Sequence, residues 1–325
     1  MEKLSPGQIF SKTGIFVLLK IALAAVSLVL SIVVLAIIVA VSSAGEGSFN
    51  IVGALIWLVV SVLITFAVNY FAGYIVKAGH VAIAANAVEV GMVPEEQLKN
   101  ARQDVGERFI NCNAYFSQRT AVRRAVGQIQ KSFNAIGSPQ YRELPVLAQL
   151  IAVVQFFAGL SLTNFISDCC LGYTFTETDK GLYKSSAESV MAYHQSWRNL
   201  VDNGLKLAGG IIAAVVLVFL LSVCIFAAVF TSMFGGNAFA GLMGAFAFGY
   251  FAVSVVKNGI IDSYLMINYM EDFVNEARYC DVTQEAFGEL YRESSKFAVL
   301  YNKAKQEEDL AQINANAEPE PMEIK

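Results

Sequence analysis

The sequence predicts an all-α, polytopic helical membrane protein. It has two transmembrane hairpins, a re-entrant or fifth membrane segment, and cytoplasmic amphipathic helices. Three observations carry this reading. Of 325 residues, 56% are apolar and only 15% charged, where a soluble domain has about a quarter charged. Mean hydropathy is +0.53. The charges are also segregated: residues 21–45, 47–76, 144–167 and 207–256 contain no Asp, Glu, Lys or Arg. Disorder, collagen and a disulfide scaffold are excluded by composition. A soluble nucleic-acid binder is excluded by charge, since 23 Lys+Arg against 27 Asp+Glu leave a net −4.

A helix needs about 20 mainly apolar residues to cross the hydrocarbon core. The first such segment runs from about Gly14 to Val41 and the second from about Ile51 to Val76. Lys12 and the small residues Ser42, Ser43 and Ala44 imitate a signal peptide. The apolar core between them is too long for one, so it reads as an uncleaved anchor. Residues 207–256 are too long for a single span and fold back at Gly235-Gly236-Asn237. The segment Leu144–Ser167 is uncharged but begins at Pro145 and contains Gln149, Gln155, Ser161, Thr163 and Asn164. Basic residues occupy the N-terminus, residues 77–143, residues 168–206 and everything from Lys257 on, while the hairpin tips hold none. Positive-inside counting then puts both termini in the cytoplasm if four helices span and 144–167 is re-entrant or interfacial. Five full spans with the termini on opposite sides is the rival arrangement.

The resulting division is 1–76, first hairpin; 77–143, cytoplasmic amphipathic helices; 144–172, re-entrant or fifth membrane segment; 173–206, cytoplasmic connecting helix; 207–262, second hairpin; 263–305, cytoplasmic helical region; and 306–325, a disordered acidic tail with Pro319 and Pro321. Residues 94–136 read as amphipathic helix, with Leu98, Ala101, Val105, Phe109, Cys112, Phe116, Val122, Val126, Ile129, Phe133 and Ile136 stepping by three or four. Arg119, Arg123, Arg124 and Lys131 fall on the other face. They either only set topology or contact anionic lipids or a partner. A second amphipathic helix is predicted over Val282–Lys305, with Phe287, Leu290, Phe297 and Tyr301 on one face. An internal echo pairs Val76-Lys77-Ala78-Gly79 with Val256-Lys257-Asn258-Gly259, each where a hairpin ends. Two hairpins in one orientation would form a parallel repeat.

No enzyme active site is expected. There is no CxxC, HExxH, Walker A or GxSxG pattern, so no metal, cofactor or ATP-driven cycle is predicted. The adjacent Cys169 and Cys170 are either palmitoylated near the membrane or simply small apolar residues. Ionisable groups near membrane depth are the candidate site, because a charge there is costly unless paired or wet. Asp262 and Lys257 lead, with His80, Gln155 and Asn164 completing a candidate solute path. Asp262 is either such a site or a solvated interfacial residue. Positions five apart in an α-helix point about 140° apart, so either a helix distortion near Gly259 lets Lys257 and Asp262 pair, or each takes a partner on another helix. Gly241, Ala245 and Gly249 form a small-residue ladder for packing within the chain or against a second copy.

Several of these segments resemble the C-terminal part of the choline-transporter-like family. They are Lys184-Ser185-Ser186-Ala187-Glu188-Ser189 through Trp197-Arg198-Asn199, Phe248-Gly249-Tyr250 through Asp262-Ser263, and Met270-Glu271-Asp272-Phe273, with a fainter likeness at His80-Val81-Ala82-Ile83-Ala84. The chain has fewer spans than that family and lacks its large extracellular loop. The expected function is a carrier or channel-like protein for a small polar or cationic solute, passive or ion-coupled. The alternative is a non-transporting membrane scaffold that binds lipid or a protein partner. Expected partners are the bilayer, including anionic lipids, and a homo-oligomer, but not nucleic acid.

Overall fold

The computed structural model describes residues 3–44, 49, 51–136, 163–280 and 283–317, and every regular element among them is helical. Four helices are long and apolar enough to cross a membrane: Gly14–Ala44, Ile51–Val90, Val215–Met233 and Ala238–Ala277. They form the two hairpins that the uncharged runs predict.

In chain order, a short α1 (Pro6–Lys12) leads into α2 (Gly14–Ala44). Then α3 (Ile51–Val68) passes through a π-helical turn, Asn69–Gly73, into α4 (Tyr74–Val90). Next come α5 (Gln97–Arg108), α6 (Cys112–Ile136) and α7 (163–176). The 52-residue α8 (Leu182–Met233) begins outside the second hairpin and ends as its first span. The hairpin turns at Gly235 and Gly236, with φ of 64° and 83°, a left-handed backbone that glycine adopts without strain. Asn237 then caps α9 (Ala238–Val253), its side chain accepting the Ala240 N–H. A second π-helical segment, Ser254–Ile261, carries α9 into α10 (Asp262–Ala277), before α11 (Gln284–Glu293) and α12 (Ser295–Ala317).

The spans pack tightly on each other and present apolar faces outward. Within the first hairpin, the Ser31 and Ser61 hydroxyls bond at 2.7 Å and Trp57 Nε1 donates to the Ser31 carbonyl at 3.0 Å. In the second, the backbone of α9 lies directly on α8: a Cβ at Gly241 would come within 2.4 Å of Thr231 Cα. The hairpins touch each other through Leu35, Phe49, Ala54, Trp57, Ala240 and Ala247. Leu18, Val29, Ile37, Leu55, Val62, Phe66, Leu217, Leu220 and Ile225 remain exposed around the outside. Apolar surface of that extent is matched by lipid tails.

The helices Ile51–Val90 and Ala238–Ala277 have 40 residues each. At about 1.5 Å per residue they are about 60 Å long, twice the hydrocarbon core. Their distal halves, α4 and α10, therefore leave the span region and enter a helical head. One continuous core joins Ile9 of α1, Ala82 and Ala85 of α4, Val105 of α5, Val122 and Val126 of α6, Ile166 and Leu171 of α7, Val190 and Tyr193 of α8, Ile267 and Met270 of α10, Leu290 of α11, and Phe297 and Leu300 of α12. The first and last described helices thus share one end of the bundle.

Four expectations are corrected. The amphipathic stretch 94–136 is two helices, because Phe109 is extended and buried and the Asn111 side chain accepts the Ala114 N–H to start a new helix. The stretch 282–305 also divides, at Ser294, whose hydroxyl accepts the Phe297 N–H at 3.2 Å. In both cases a side-chain cap competes with the continuing helical ladder. The tail expected from residue 306 is helical to Ala317, since helix-forming residues continue that far and both prolines lie beyond. Glu307 within it is a structural residue: its carboxylate accepts the backbone N–H groups of Leu182, Tyr183 and Lys184 at the start of α8. Finally, residues 163–167 belong to α7 in the head core, with Phe165, Ile166 and Ser167 buried. The rest of the expected re-entrant or fifth segment, 144–162, lies outside the described residues.

Candidate functional site

A cluster of ionisable side chains sits where the spans meet the head. Each lies at the end of an uncharged run or a few residues beyond it: Lys20 from α2, Lys77 and His80 from α4, Asp168 from α7, and Lys257 and Asp262 from the second exit helix. Arg119 joins from α6. Helix packing stacks these run ends at one level.

Lys20 Nζ donates to His80 Nδ1 and to Ser263 Oγ, both at 2.9 Å. An ammonium can only donate, so His80 Nδ1 accepts and the ring proton sits on Nε2. Nε2 meets the Thr13 hydroxyl at 3.2 Å, and that hydroxyl donates to the Ile9 carbonyl at 2.9 Å. The ring is fully buried and stacks on Phe16 with centroids 5.1 Å apart. These bonds tie α1, α2, α4 and α10 together.

Beside them, Asp168 bridges two cations, with Lys77 Nζ at 2.9 Å and Arg119 Nε at 3.3 Å. Burial pushes the Asp168 carboxyl up, but Lys77 and Arg119 outweigh it and hold it below the ordinary carboxylate range. It is therefore ionised at neutral pH. The Tyr115 hydroxyl lies close enough for Arg119 and Asp168 to act on it, and burial pushes its ionisation up. That hydroxyl has no hydrogen-bond partner among the described residues.

Lys257 and Asp262 form a third pair at 2.8 Å. The distortion that this pairing requires is the π-helical segment Ser254–Ile261. Asp262 Oδ2 holds the lysine, while Oδ1 is buried with no hydrogen-bond partner among the described residues.

Of the expected solute-path residues, His80, Lys257 and Asp262 are at this level. Asn164 lies one helical turn before Asp168, its buried Oδ1 without a hydrogen-bond partner among the described residues, and Gln155 is outside them. Arg119 departs from its expected outer face and turns inward to Asp168, leaving Arg123 half-buried and Arg124 and Lys131 exposed. Hydrophobic periodicity cannot tell an arginine facing solvent from one facing a buried carboxylate on the next helix. Gly241 packs against Thr231 and Gly249 against Phe219 and Val223, while Ala245 is fully buried, so the ladder serves contact within the chain.

Lys20, Lys77, Arg119, Asp168 and Ser263 escape a sequence reading of this site. A signal for Lys20 is present: it is a lone cation between two apolar stretches. Cys169 and Cys170 are buried in the head core, so they act there as small apolar residues. Burial pushes both thiols up, Cys170 to about 12. No group of three His, Cys, Asp or Glu side chains is placed to hold a metal among the described residues. A surface depression lined by Leu98, Lys99, Arg102, Gln103, Gly106 and Glu107 belongs to α5 alone and includes none of the cluster. No family model matches the chain, and neither a curated protein nor a solved structure is significantly similar to it.

Proposed function

We propose that the protein is a membrane-embedded scaffold whose hairpins anchor a helical head at the cytoplasmic face, where the head engages a partner. One observation carries this reading: the two hairpins are joined at both ends. Their exit helices α4 and α10 share the head core, and their far ends meet through Phe49 and Phe239, with ring centroids 5.6 Å apart. Alternating access generally requires one half to rock against the other. Close-packed contacts at both ends oppose that motion. The cytoplasmic placement is supported by Lys and Arg around the head and their absence from the hairpin tips.

The test is reconstitution into sealed liposomes with labelled choline and labelled inorganic phosphate outside. The scaffold reading expects no uptake above protein-free liposomes. Uptake that disappears in Asp262→Asn would overturn it and establish a carrier. Orientation is checked separately in intact cells, where a cysteine at Asn237 should react with an impermeant maleimide and one at Lys99 should not.

A carrier is the second reading, favoured by the polar chain Thr13–His80–Lys20–Ser263 near the span ends. With Lys20, Lys77 and Arg119 around it, such a path favours an anion over the polar or cationic solute that the sequence suggests.

A further inference from the structure

We propose that Lys20, Lys77 and Arg119 form a binding site for a phosphate monoester. The proposal is independent of whether the protein moves a solute. It rests first on charge. Asp168 is shared by Lys77 and Arg119, and Asp262 is engaged by Lys257. Lys20 has only neutral hydrogen-bond partners among the described residues, His80 and Ser263. The three basic side chains therefore face one carboxylate and leave positive charge in surplus. A partly buried surplus is costly unless an anion compensates it. A phosphate monoester carries about −1.5 to −2 at neutral pH, whereas a diester carries a single charge.

Donor capacity agrees with that match. Of the three N–H groups on Lys20, two are used, and Lys77 uses one of its three on Asp168. Arg119 commits only Nε among the described residues, leaving both Nη groups to approach an oxyanion side by side. Access and depth also agree. The Lys77 side chain keeps 37% exposure at the flank of the bundle. Lys20 and Lys77 stand where the uncharged stretches 21–45 and 47–76 end, the level at which lipid phosphates lie. The same chemistry is offered by the headgroup of phosphatidic acid and by free phosphate.

The experiment uses the full chain in detergent and measures binding by native mass spectrometry and by shift of the unfolding midpoint. The probes are phosphatidic acid, phosphatidylglycerol and inorganic phosphate. One equivalent of phosphatidic acid should bind about tenfold more tightly than phosphatidylglycerol. Lys20→Met and Lys77→Met should each weaken it about tenfold, the loss of one charged contact. Lys77→Arg and the outer-face variant Arg124→Ala should stay within about twofold of the wild type. Binding of phosphatidic acid alone assigns the site to lipid, and equal competition by inorganic phosphate assigns it to the free anion. Equal binding of both lipids, no binding of any of the three probes, or an equal loss in Arg124→Ala would overturn the proposal. The wild-type comparison of the two lipids decides the matter even where a Met variant does not fold.

Discussion

Asp262 holds Lys257 twice: its backbone N–H donates to the Lys257 carbonyl, and its carboxylate takes the Lys257 ammonium at 2.8 Å. In an α-helix residues five apart diverge by about 140°. In a π-helix the ladder itself runs between residues five apart, so the two side chains share a face. Ion pair and backbone irregularity are therefore one feature.

The pair is about a quarter exposed, with side-chain exposures of 26% and 24%. Its value should lie between that of a surface pair and a buried one. Lys257→Ala and Asp262→Ala should each lower stability in detergent by about 1–2 kcal/mol, with the double variant recovering part of the summed loss. Strictly additive losses in chemical unfolding would mean that the pair does not couple.

Asp168 should matter more, since it ties α4, α6 and α7 and its side chain is only 6% exposed. Asp168→Asn leaves Lys77 and Arg119 facing each other without a carboxylate, a loss of about 3–5 kcal/mol. The pH dependence has a definite sign. Because its folded-state ionisation is depressed, its contribution is present above the ordinary carboxylate value of about 4 and fades as pH falls below it. The gap between wild type and Asp168→Asn should be full at neutral pH and should narrow on acidification through that range. A gap independent of pH would rule out the ionised bridge.

Glu307 should behave as a helix cap supplied from the other end of the chain. Glu307→Ala removes the acceptor for three α8 N–H groups and should cost about 1–2 kcal/mol. Gly181→Ala should reproduce much of that loss, because its Cβ would lie 2.4 Å from the Glu307 carboxylate. Ending the chain after Lys305 should destabilise at least as much as Glu307→Ala. Unchanged thermal unfolding of that truncation would mean that the α12–α8 contact contributes nothing.

The glycines of α9 should rank by what they touch. A Cβ at Gly241 meets the Thr231 backbone at 2.4 Å, one at Gly244 meets the Phe230 ring at 2.9 Å, and one at Gly249 meets Phe219 and Val223 at 3.0 Å. Side chains yield more readily than backbone. Gly241→Ala should therefore be the most damaging, by about 2–3 kcal/mol, with Gly244→Ala and Gly249→Ala progressively milder. Equal effects in an unfolding series would show that the hairpin is looser than this geometry.

The sequence by itself determined the four long apolar helices and their pairing into two hairpins, because the bilayer imposes its own code on any helix able to cross it. A span must be long, apolar and uncharged, so the two hairpins and the Gly235–Asn237 turn could be read from one-dimensional patterns. The angle between positions five apart likewise narrowed Lys257 and Asp262 to a distorted helix or to separate partners on other helices, since that is a matter of geometry along one chain segment. The tertiary structure alone decided the site. Lys20 meets His80 and Ser263 across 60 and 243 residues of sequence, and Arg119 meets Asp168 across 49. Nothing local distinguishes an inward arginine from a solvated one, or a capping Glu307 from a residue of an acidic tail. Those outcomes depend on which helix ends are stacked at the same height, and only the packed head core sets that.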